Sequence, residues 1–258
     1  MTIFLARVGA AFLGFLAATG RLTGFALKGL VGIFSPPFYP RLILRQIVYM
    51  GYYSLPVVGL TALFTGMVLA LQSYTGFSRF NAESAIATVV VLSVTRELGP
   101  VIAGLMVAGR VGAAMAAEIG TMRVTDQIDA LTTLSTDPYR YLVLPRLLAG
   151  LITMPLLVVV ADIIGVFGGY LVSTYKLGFN VESYLVSTAQ HLETSDVVSG
   201  LVKAGVFGFI VALMGCYHGY QSRGGAEGVG QATTYAVVSA SILILVTDYL
   251  LTAALFGT

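Results

Sequence analysis

The stretch from Arg96 to Leu134, RELGPVIAGLMVAGRVGAAMAAEIGTMRVTDQIDALTTL, decides the fold. It begins inside an apolar run with two adjacent charged residues, continues with small residues at every fourth position, and ends in a polar segment. Charged residues in a membrane helix, a close-packing face and a short charged loop indicate a transport protein when they occur in one continuous segment. They argue against a soluble fold and against a passive membrane anchor.

The composition of the whole chain supports a membrane protein. The 258 residues are 57% hydrophobic and 10% charged, with a mean hydropathy of +0.90, whereas soluble domains carry about 25% charged residues. The net charge of +2 and the lack of basic clusters argue against nucleic-acid binding. Cys216 is the single cysteine, so neither an intrachain disulfide nor a thiolate metal site can form. We expect no metal and no cofactor in this chain.

The apolar runs predict an all-α membrane protein with five transmembrane helices, treated as one domain over residues 1–258. The predicted spans cover about 47–75, 84–117, 142–174, 197–220 and 232–256. Residues 1–34 predict an interfacial amphipathic helix, because Arg7, Arg21 and Lys28 are seven or fourteen residues apart and share one helix face. A poorly hydrophobic true span is the alternative for this segment.

The distribution of lysine and arginine predicts the orientation in the membrane. With the N-terminus in the cytoplasm and the C-terminus outside, only Arg79, Lys176 and Lys203 fall at or near the outer side. The remaining basic residues considered fall at or near the cytoplasmic side: Arg7, Arg21, Lys28, Arg41, Arg45, Arg123, Arg140, Arg146 and Arg223.

Small residues recur at every fourth position in three of the predicted spans. The second span has Gly104, Ala108, Gly112, Ala116 and Gly120; the fourth has Gly200, Ala204, Gly208 and Ala212; the first has Ala62, Gly66 and Ala70. Such stripes let helix backbones approach closely in lipid. The sequence leaves open whether the partner helix belongs to the same chain or to another copy.

Arg96 and Glu97 are the charged residues predicted deepest in the second span. Adjacent residues on a helix do not face each other, so each needs a partner of its own. Either they line a cavity or they belong to a structural ion-pair network with Asp162, Lys203 or Asp248; Lys203 can also extend outward to the membrane surface. Pro100 removes a backbone donor and predicts a kink nearby.

The polar segment after the second span predicts a short helix from Val124 to Leu134, with a polar face and an apolar face. It is either a docking element for a soluble motor domain or an ordinary surface helix. The segment 224–230, GGAEGVG, is read as a turn, because no strand precedes it. The sequence G-x-x-x-x-G-K-[ST] does not occur, so this chain has no ATP site of that kind.

Several motifs together resemble Mla-type ABC permeases, the family that maintains lipid asymmetry with MCE-domain proteins. They are RELGP at 96–100, AGR at 108–110, AEIGTMRVTDQI at 117–128, Pro145-Arg146, the glycine-rich segment 224–230 and DYLLTA at 248–253. The similarity runs from about residue 40 to the end, and the N-terminal helix matches less well.

The resemblance implies a permease homodimer in the inner membrane of a diderm bacterium. Each copy would bind a cytoplasmic ABC ATPase that holds ATP and magnesium and carries a STAS-domain protein, and a hexameric MCE-domain protein would lie on the periplasmic side. Phospholipid would be moved between the inner membrane and this periplasmic route. The implied lipid-binding residues are Leu69, Phe77, Phe80, Arg96, Glu97, Leu98 and Lys203. The implied ATPase-coupling residues are Glu118, Gly120, Thr121, Arg123, Asp126, Asp129 and Leu134.

Two other functions stay open on the residues alone. A stand-alone ion-coupled carrier would use Arg96, Glu97 and Asp248 and would transport without an ATPase. An intramembrane enzyme, such as a lipid acyltransferase, would need a nucleophile or base cluster, and the sequence shows neither H-E-x-x-H nor G-x-S-x-G.

Overall fold

The computed structural model of the protein describes residues 2–32, 39–80, 82 and 85–256. Within these residues all regular structure is helical. The α-helices are α1 Thr2–Val31, α2 Pro40–Gly51, α3 Leu55–Phe77, α4 Ile86–Ser93, α5 Gly99–Val107, α6 Ala113–Val124, α7 Gln127–Thr133, α8 Leu144–Leu171, α9 Val181–His191, α10 Thr194–Tyr220 and α11 Gly225–Phe256.

Five helical stretches of the described chain are long and apolar enough to cross a membrane, as predicted. They are Pro40–Phe77, Ile86–Val124, Tyr139–Lys176, Thr194–Tyr220 and Gly225–Phe256. Each is longer than the predicted run, because hydropathy detects only the apolar middle of a helix whose polar ends continue beyond it. We call the end of the bundle that holds α9 the outer end and the end that holds α7 the inner end, following the predicted topology.

The N-terminal helix α1 lies outside the set of five spans and packs against the inner end of the bundle. Phe25 is buried against the rings of Tyr139, Tyr217 and Tyr220. Lys28 lies on the exposed side, with its Nζ 5.8 Å from the centre of the Tyr139 ring. This arrangement agrees with an amphipathic helix. Of the described apolar side chains of α1, Phe25 packs on the bundle, whereas Phe12 and Leu16 are exposed.

The second span is the centre of the bundle and is not a regular α-helix. Two π-helical turns, Val94–Leu98 and Ala108–Gly112, join α4, α5 and α6. The first of them directly precedes Pro100, which cannot donate the backbone hydrogen bond that a regular α-helix requires. The predicted irregularity therefore lies just before the proline, as a widened turn.

The stripes of small residues pack helices of the same chain, which answers the question that the sequence left open. Gly66 of the first span meets the backbone of Gly165 in the third, and Gly208 of the fourth meets Gly150 in the third. On the second span, Gly104 faces Phe207 and Ile244 of the fourth and fifth spans. A methyl group at Gly66 or Gly208 would overlap a backbone carbonyl, so these contacts require glycine.

One side of the second span is left uncovered between the first and fifth spans. The first span packs mainly on the third, and the fifth packs on the fourth and on part of the second, so some of the second span stays uncovered. Met106 is 36% exposed there, and a methyl group at Gly109 would meet no atom within 4 Å. We call this surface the open face.

Candidate functional site

A network of charged side chains links the second, fourth and fifth spans near the outer end. Arg96 donates from Nε to Oδ1 of Asp196 over 2.7 Å, and its guanidinium lies 4.7 Å from the centre of the Phe256 ring. Asp196 is fully buried, whereas about a third of the Arg96 side chain is exposed. The buried carboxylate therefore holds the arginine while part of the guanidinium group stays accessible to a ligand.

Lys203 is the centre of this network. Its Nζ donates to Oε2 of Glu97 and to Oγ1 of Thr252, both over 2.7 Å, and lies 3.1 Å from Oδ1 of Asp248. The Lys203 side chain is fully buried, and Thr252 in turn donates to Oε1 of Glu97 over 3.1 Å. A buried ammonium group needs this many partners, because an unpaired charge in the membrane costs several kcal/mol. We call Arg96, Glu97, Asp196, Lys203, Asp248 and Thr252 the outer network.

Lys203 also compensates for Pro100. In a regular α-helix the carbonyl of Arg96 would accept a hydrogen bond from residue 100, and proline has no N–H to give. The Nζ of Lys203 donates to this carbonyl oxygen over 3.1 Å. Gly200, one turn earlier on the fourth span, packs directly on the carbonyl of Thr95. The sequence thus places a lysine and a glycine where the irregular backbone of the second span needs them.

The structure decides between the possibilities that the sequence left for the charged residues. Arg96 and Glu97 do have separate partners, as predicted, and Asp248 belongs to the ion-pair network. The alternative in which Lys203 extends outward to the membrane surface is wrong, because its ammonium group turns inward to the carboxylates of Glu97 and Asp248. Asp162 stays apart from this network and packs against Gly99.

Asp196, Thr252 and Phe256 are members of the site that sequence reasoning missed. Asp196 lies just outside the predicted fourth span of about 197–220, but it is the third residue of α10 and caps that helix reciprocally with Glu193. The pattern Glu-x-x-Asp before an apolar run was the available signal for a helix start. Nothing in the sequence indicated that the same carboxylate also binds Arg96.

The implied apolar lipid contacts fall in two different places. Leu98 lines a small gap between the first and second spans, together with Val58 and Ala62. Leu69 and Phe77 pack against a separate apolar cluster at the outer end. Phe80 ends the short turn Ser78–Phe80, and its side chain lies outside the described part of the chain.

The implied coupling residues gather at the inner end of the bundle. Asp129 of α7 accepts from Nη1 of Arg123 over 2.7 Å, which ties α7 to the second span. Glu118 lies 2.8 Å from Nη2 of the buried Arg146, and more than half of its side chain is exposed. The side chain of Leu134 is 75% exposed. These residues form a mixed acidic and apolar surface.

The other implied coupling residues differ in exposure. Thr121 and Asp126 are exposed, and Asp126 adopts a left-handed backbone conformation with φ of 58°. Gly120 is buried near Ser222 and Val229, so its role inside this chain is packing.

The loop helix is shorter than predicted. It spans Gln127–Thr133, because Val124 still belongs to the second span and Asp126 breaks the helix between them. Ile128 is buried beneath it, as the predicted apolar face requires. The glycine-rich segment is also mostly helical, since α11 begins at Gly225, and the turn is confined to the residues just before it. This turn lies beside α7 across a groove of about 260 Å³.

An apolar cavity of about 600 Å³ lies at the outer end between α9 and the third span. Tyr184 of α9 and Asp162 of the third span are among the residues that line it. Burial raises the pKa of Tyr184, so the phenol stays neutral. In the described residues no group of histidine, cysteine and carboxylate side chains could hold a metal ion.

Comparison with known proteins assigns this architecture to a family. Residues 43–254 match the family described as "Permease MlaE". The chain belongs to the MlaE permease family. Among relatives of this MlaE permease, a Rickettsia bellii protein described as "Probable ABC transporter permease protein" is 64% identical over 237 residues, 92% of each chain. The Haemophilus influenzae "Intermembrane phospholipid transport system permease protein MlaE" is 38% identical over 256 residues, 98% of each chain.

Proposed function

We propose that this MlaE permease is the membrane subunit of an ATP-driven phospholipid transporter. The Haemophilus influenzae relative is named for intermembrane phospholipid transport and covers nearly the whole chain. The observation that carries the proposal is the outer network, in which Arg96 and Glu97 keep about a third of their side chains exposed while buried groups hold them.

Arg96 is proposed to bind the lipid phosphate. A guanidinium group suits a phosphate because it presents several donors in one plane. Asp196 fixes its direction, and the Phe256 ring offers an apolar surface beside it. Glu97 restrains the position of the positive charge, and Leu98, Leu69, Phe77 and Phe80 are proposed to contact acyl chains. Lys203, which is fully buried, would act on the lipid by holding Glu97 in place.

The inner end is proposed to dock a cytoplasmic ABC ATPase, which would hold ATP and magnesium and carry a STAS-domain protein. The exposed side chains of Glu118, Thr121, Asp126, Asp129 and Leu134 would form the contact, with Arg123 bracing α7. The second span is continuously helical from Ile86 to Val124, including its two π-helical turns. A movement of α7 caused by the ATPase would therefore be transmitted to the outer network along this span.

The open face is proposed to be covered by a second copy of the chain, giving a homodimer with the lipid site between the two copies. Val68, Leu60 and Phe64 of the first span and Ile242 and Leu245 of the fifth are exposed on the flanking helices. The hexameric MCE-domain protein would lie at the outer end, in the periplasm, where lipid leaves or enters. This arrangement places the N-terminus in the cytoplasm and the C-terminus outside, in the inner membrane, where the transporter would maintain lipid asymmetry.

The decisive experiment is transport by the purified protein in liposomes, with and without the proposed ABC ATPase partner. Labelled phospholipid should move only when both subunits and ATP are present, and Arg96→Gln should abolish movement while the ATPase still copurifies. Arg79→Gln, an exposed arginine at the outer end, is the matched control. Transport by the permease alone under an ion gradient would instead establish the stand-alone carrier.

A further inference from the structure

A second cavity lies at the inner end, far from the outer network. It has a volume of about 860 Å³, is partly open, and is bordered by α2, the inner half of the second span and the start of the third span. Arg45, Gln46, Tyr49, Tyr53, Glu118 and Arg146 are among its lining residues. We call it the inner cavity.

The inner cavity carries an excess of positive charge. Arg45 and Arg146 line it, and Arg110, which is not a lining residue, has its guanidinium carbon 5.9 Å and 6.0 Å from the rings of the lining residues Tyr49 and Tyr53. The one carboxylate among the lining residues, Glu118, is already paired with Arg146. Three arginines against one carboxylate favour an anionic ligand.

Two polar atoms of the lining residues lack partners within the described chain. They are Nε of Arg146 and Oε1 of Gln46, both buried. The Arg146 side chain is 96% buried, with Nη1 donating to the carbonyl of Leu142 over 2.8 Å. A buried donor and a buried acceptor left unpaired each cost about 1–3 kcal/mol unless a ligand satisfies them. The ligand therefore needs both acceptor oxygens and a donor group.

Arg110 differs from Arg96, Arg146 and Lys203 in having no carboxylate partner among the described residues. Its Nη1 donates to Oγ of Ser54 over 2.9 Å, and its remaining contacts there are with the two tyrosine rings. A second copy of this chain is a poor source of the missing anion. Its Glu97 and Asp248 would be held by Lys203, and its Glu118 by Arg146.

The tyrosines place the inner cavity at the level of lipid headgroups. Tyr49, Tyr52 and Tyr53 are all exposed on the first span, and exposed tyrosines concentrate where the bilayer meets water. Arg110 is fourteen residues from Arg96 along the second span, about 21 Å in a regular helix. The two arginines therefore lie in opposite halves of the membrane.

We propose that the inner cavity binds the headgroup of a glycerophospholipid from the inner leaflet. The phosphate would lie between Arg146 and Arg45, with Arg110 reaching it past the rings of Tyr49 and Tyr53. A headgroup hydroxyl or ammonium group would donate to Gln46. This site is separate from the proposed outer lipid site and rests on the proposed function for its substrate class. Its occupancy is measurable without transport.

The test is photocrosslinking of the full chain in nanodiscs that contain phosphatidylethanolamine with radioactive acyl chains. A benzophenone amino acid replaces Leu44, which lines the inner cavity, or, as a control for bulk lipid, Leu156, which is exposed on the third span. Arg110→Gln should lower labelling at position 44 about tenfold, because a hydrogen bond to a charged group is lost. Labelling at position 156 should not change.

Two further variants keep this experiment decisive. Arg110→Lys retains the charge and should label to an intermediate degree, which separates phosphate binding from misfolding. Gln46→Leu should lower labelling by phosphatidylethanolamine more than labelling by a phospholipid without a headgroup donor.

Four outcomes would overturn the inference. They are equal labelling by Arg110→Gln, equal labelling by a diacylglycerol that lacks phosphate, full displacement of lipid by millimolar inorganic phosphate, and a crosslink to a second permease copy in place of lipid. Transport that is lost while position 44 still labels would contradict the proposed function and leave the inner cavity intact. Normal transport without selective labelling at position 44 would contradict lipid binding in the inner cavity and leave the proposed function intact.

Discussion

The two π-helical turns of the second span each carry one arginine, and the surroundings of those arginines differ. In the outer turn, Arg96 is bound to the buried carboxylate of Asp196, and the neighbouring Glu97 is bound to Lys203. In the inner turn, Arg110 has a hydroxyl group and two aromatic rings as partners. The outer charge is neutralised by other spans of the same chain, whereas the inner charge is left for a ligand. Both arginines are proposed to meet a lipid phosphate, but in the described chain only Arg96 has a carboxylate partner that fixes its direction.

Of the substitutions that test this comparison, removing the Lys203 ammonium group should have the largest effect, a loss of stability. Lys203→Met leaves Glu97, Asp248 and the Arg96 carbonyl without their buried partner, which should cost about 3–5 kcal/mol of stability. We expect most of the protein to be lost from the monodisperse peak in size-exclusion chromatography after mild heating in detergent. Lys176→Met, at the exposed end of the third span, is the matched control and should behave like the wild type. Equal heat resistance of both variants would refute the structural role of the outer network.

A pair of glycine substitutions should contrast the close helix contact at the outer turn with the open face beside the inner turn. Gly200→Ala places a methyl group against the carbonyl of Thr95, and overpacking of this kind costs about 1–3 kcal/mol. Gly109→Ala, in the inner turn, meets open space and should be neutral. Thermal melting of the two variants in the same detergent measures the difference. Similar melting temperatures would show that the fourth span moves away from Thr95 without cost.

Asp196→Asn should weaken the orientation of the Arg96 side chain without unfolding the protein. The amide still fits beside the guanidinium group but no longer carries the charge that holds it, so lipid transfer by the complex should fall about tenfold. Copurification of the ATPase should be unchanged. Unaltered transfer rates would show that Arg96 needs no carboxylate for function. The difference in carboxylate pairing between Arg96 and Arg110 would then have no functional consequence.

Asp129→Lys should have the smallest effect on the fold itself. The ion pair between Asp129 and Arg123 is largely exposed, so its loss should cost less than about 1 kcal/mol. Recovery of the ATPase with the tagged permease should nevertheless fall, because the reversed charge lies on the proposed docking surface. Glu182→Lys on α9, at the outer end, provides the matched control. Normal ATPase recovery with Asp129→Lys would place the docking surface elsewhere.

The sequence predicted more of the fold than of the candidate site. Five spans, the packing role of the small residues and the buried face of α7 all follow from patterns within one helix. The boundaries were less exact, since Asp126 interrupts the helix that the pattern Val124–Leu134 predicted. The site was harder because Asp196 lies one hundred residues from Arg96, and Thr252 lies farther still from Glu97. No periodicity connects such pairs.

The sequence by itself determined that this chain resides in the membrane, how many times it crosses, and that Arg96 and Glu97 need separate partners. These properties are local, because hydropathy adds up along about twenty residues and helix geometry fixes which neighbours can meet. The tertiary structure alone decided that Lys203 turns inward, that Asp196 binds Arg96, and that Arg110 has no carboxylate partner in the described chain. Ion pairing depends on distances across the bundle, and only the packed helices set those distances.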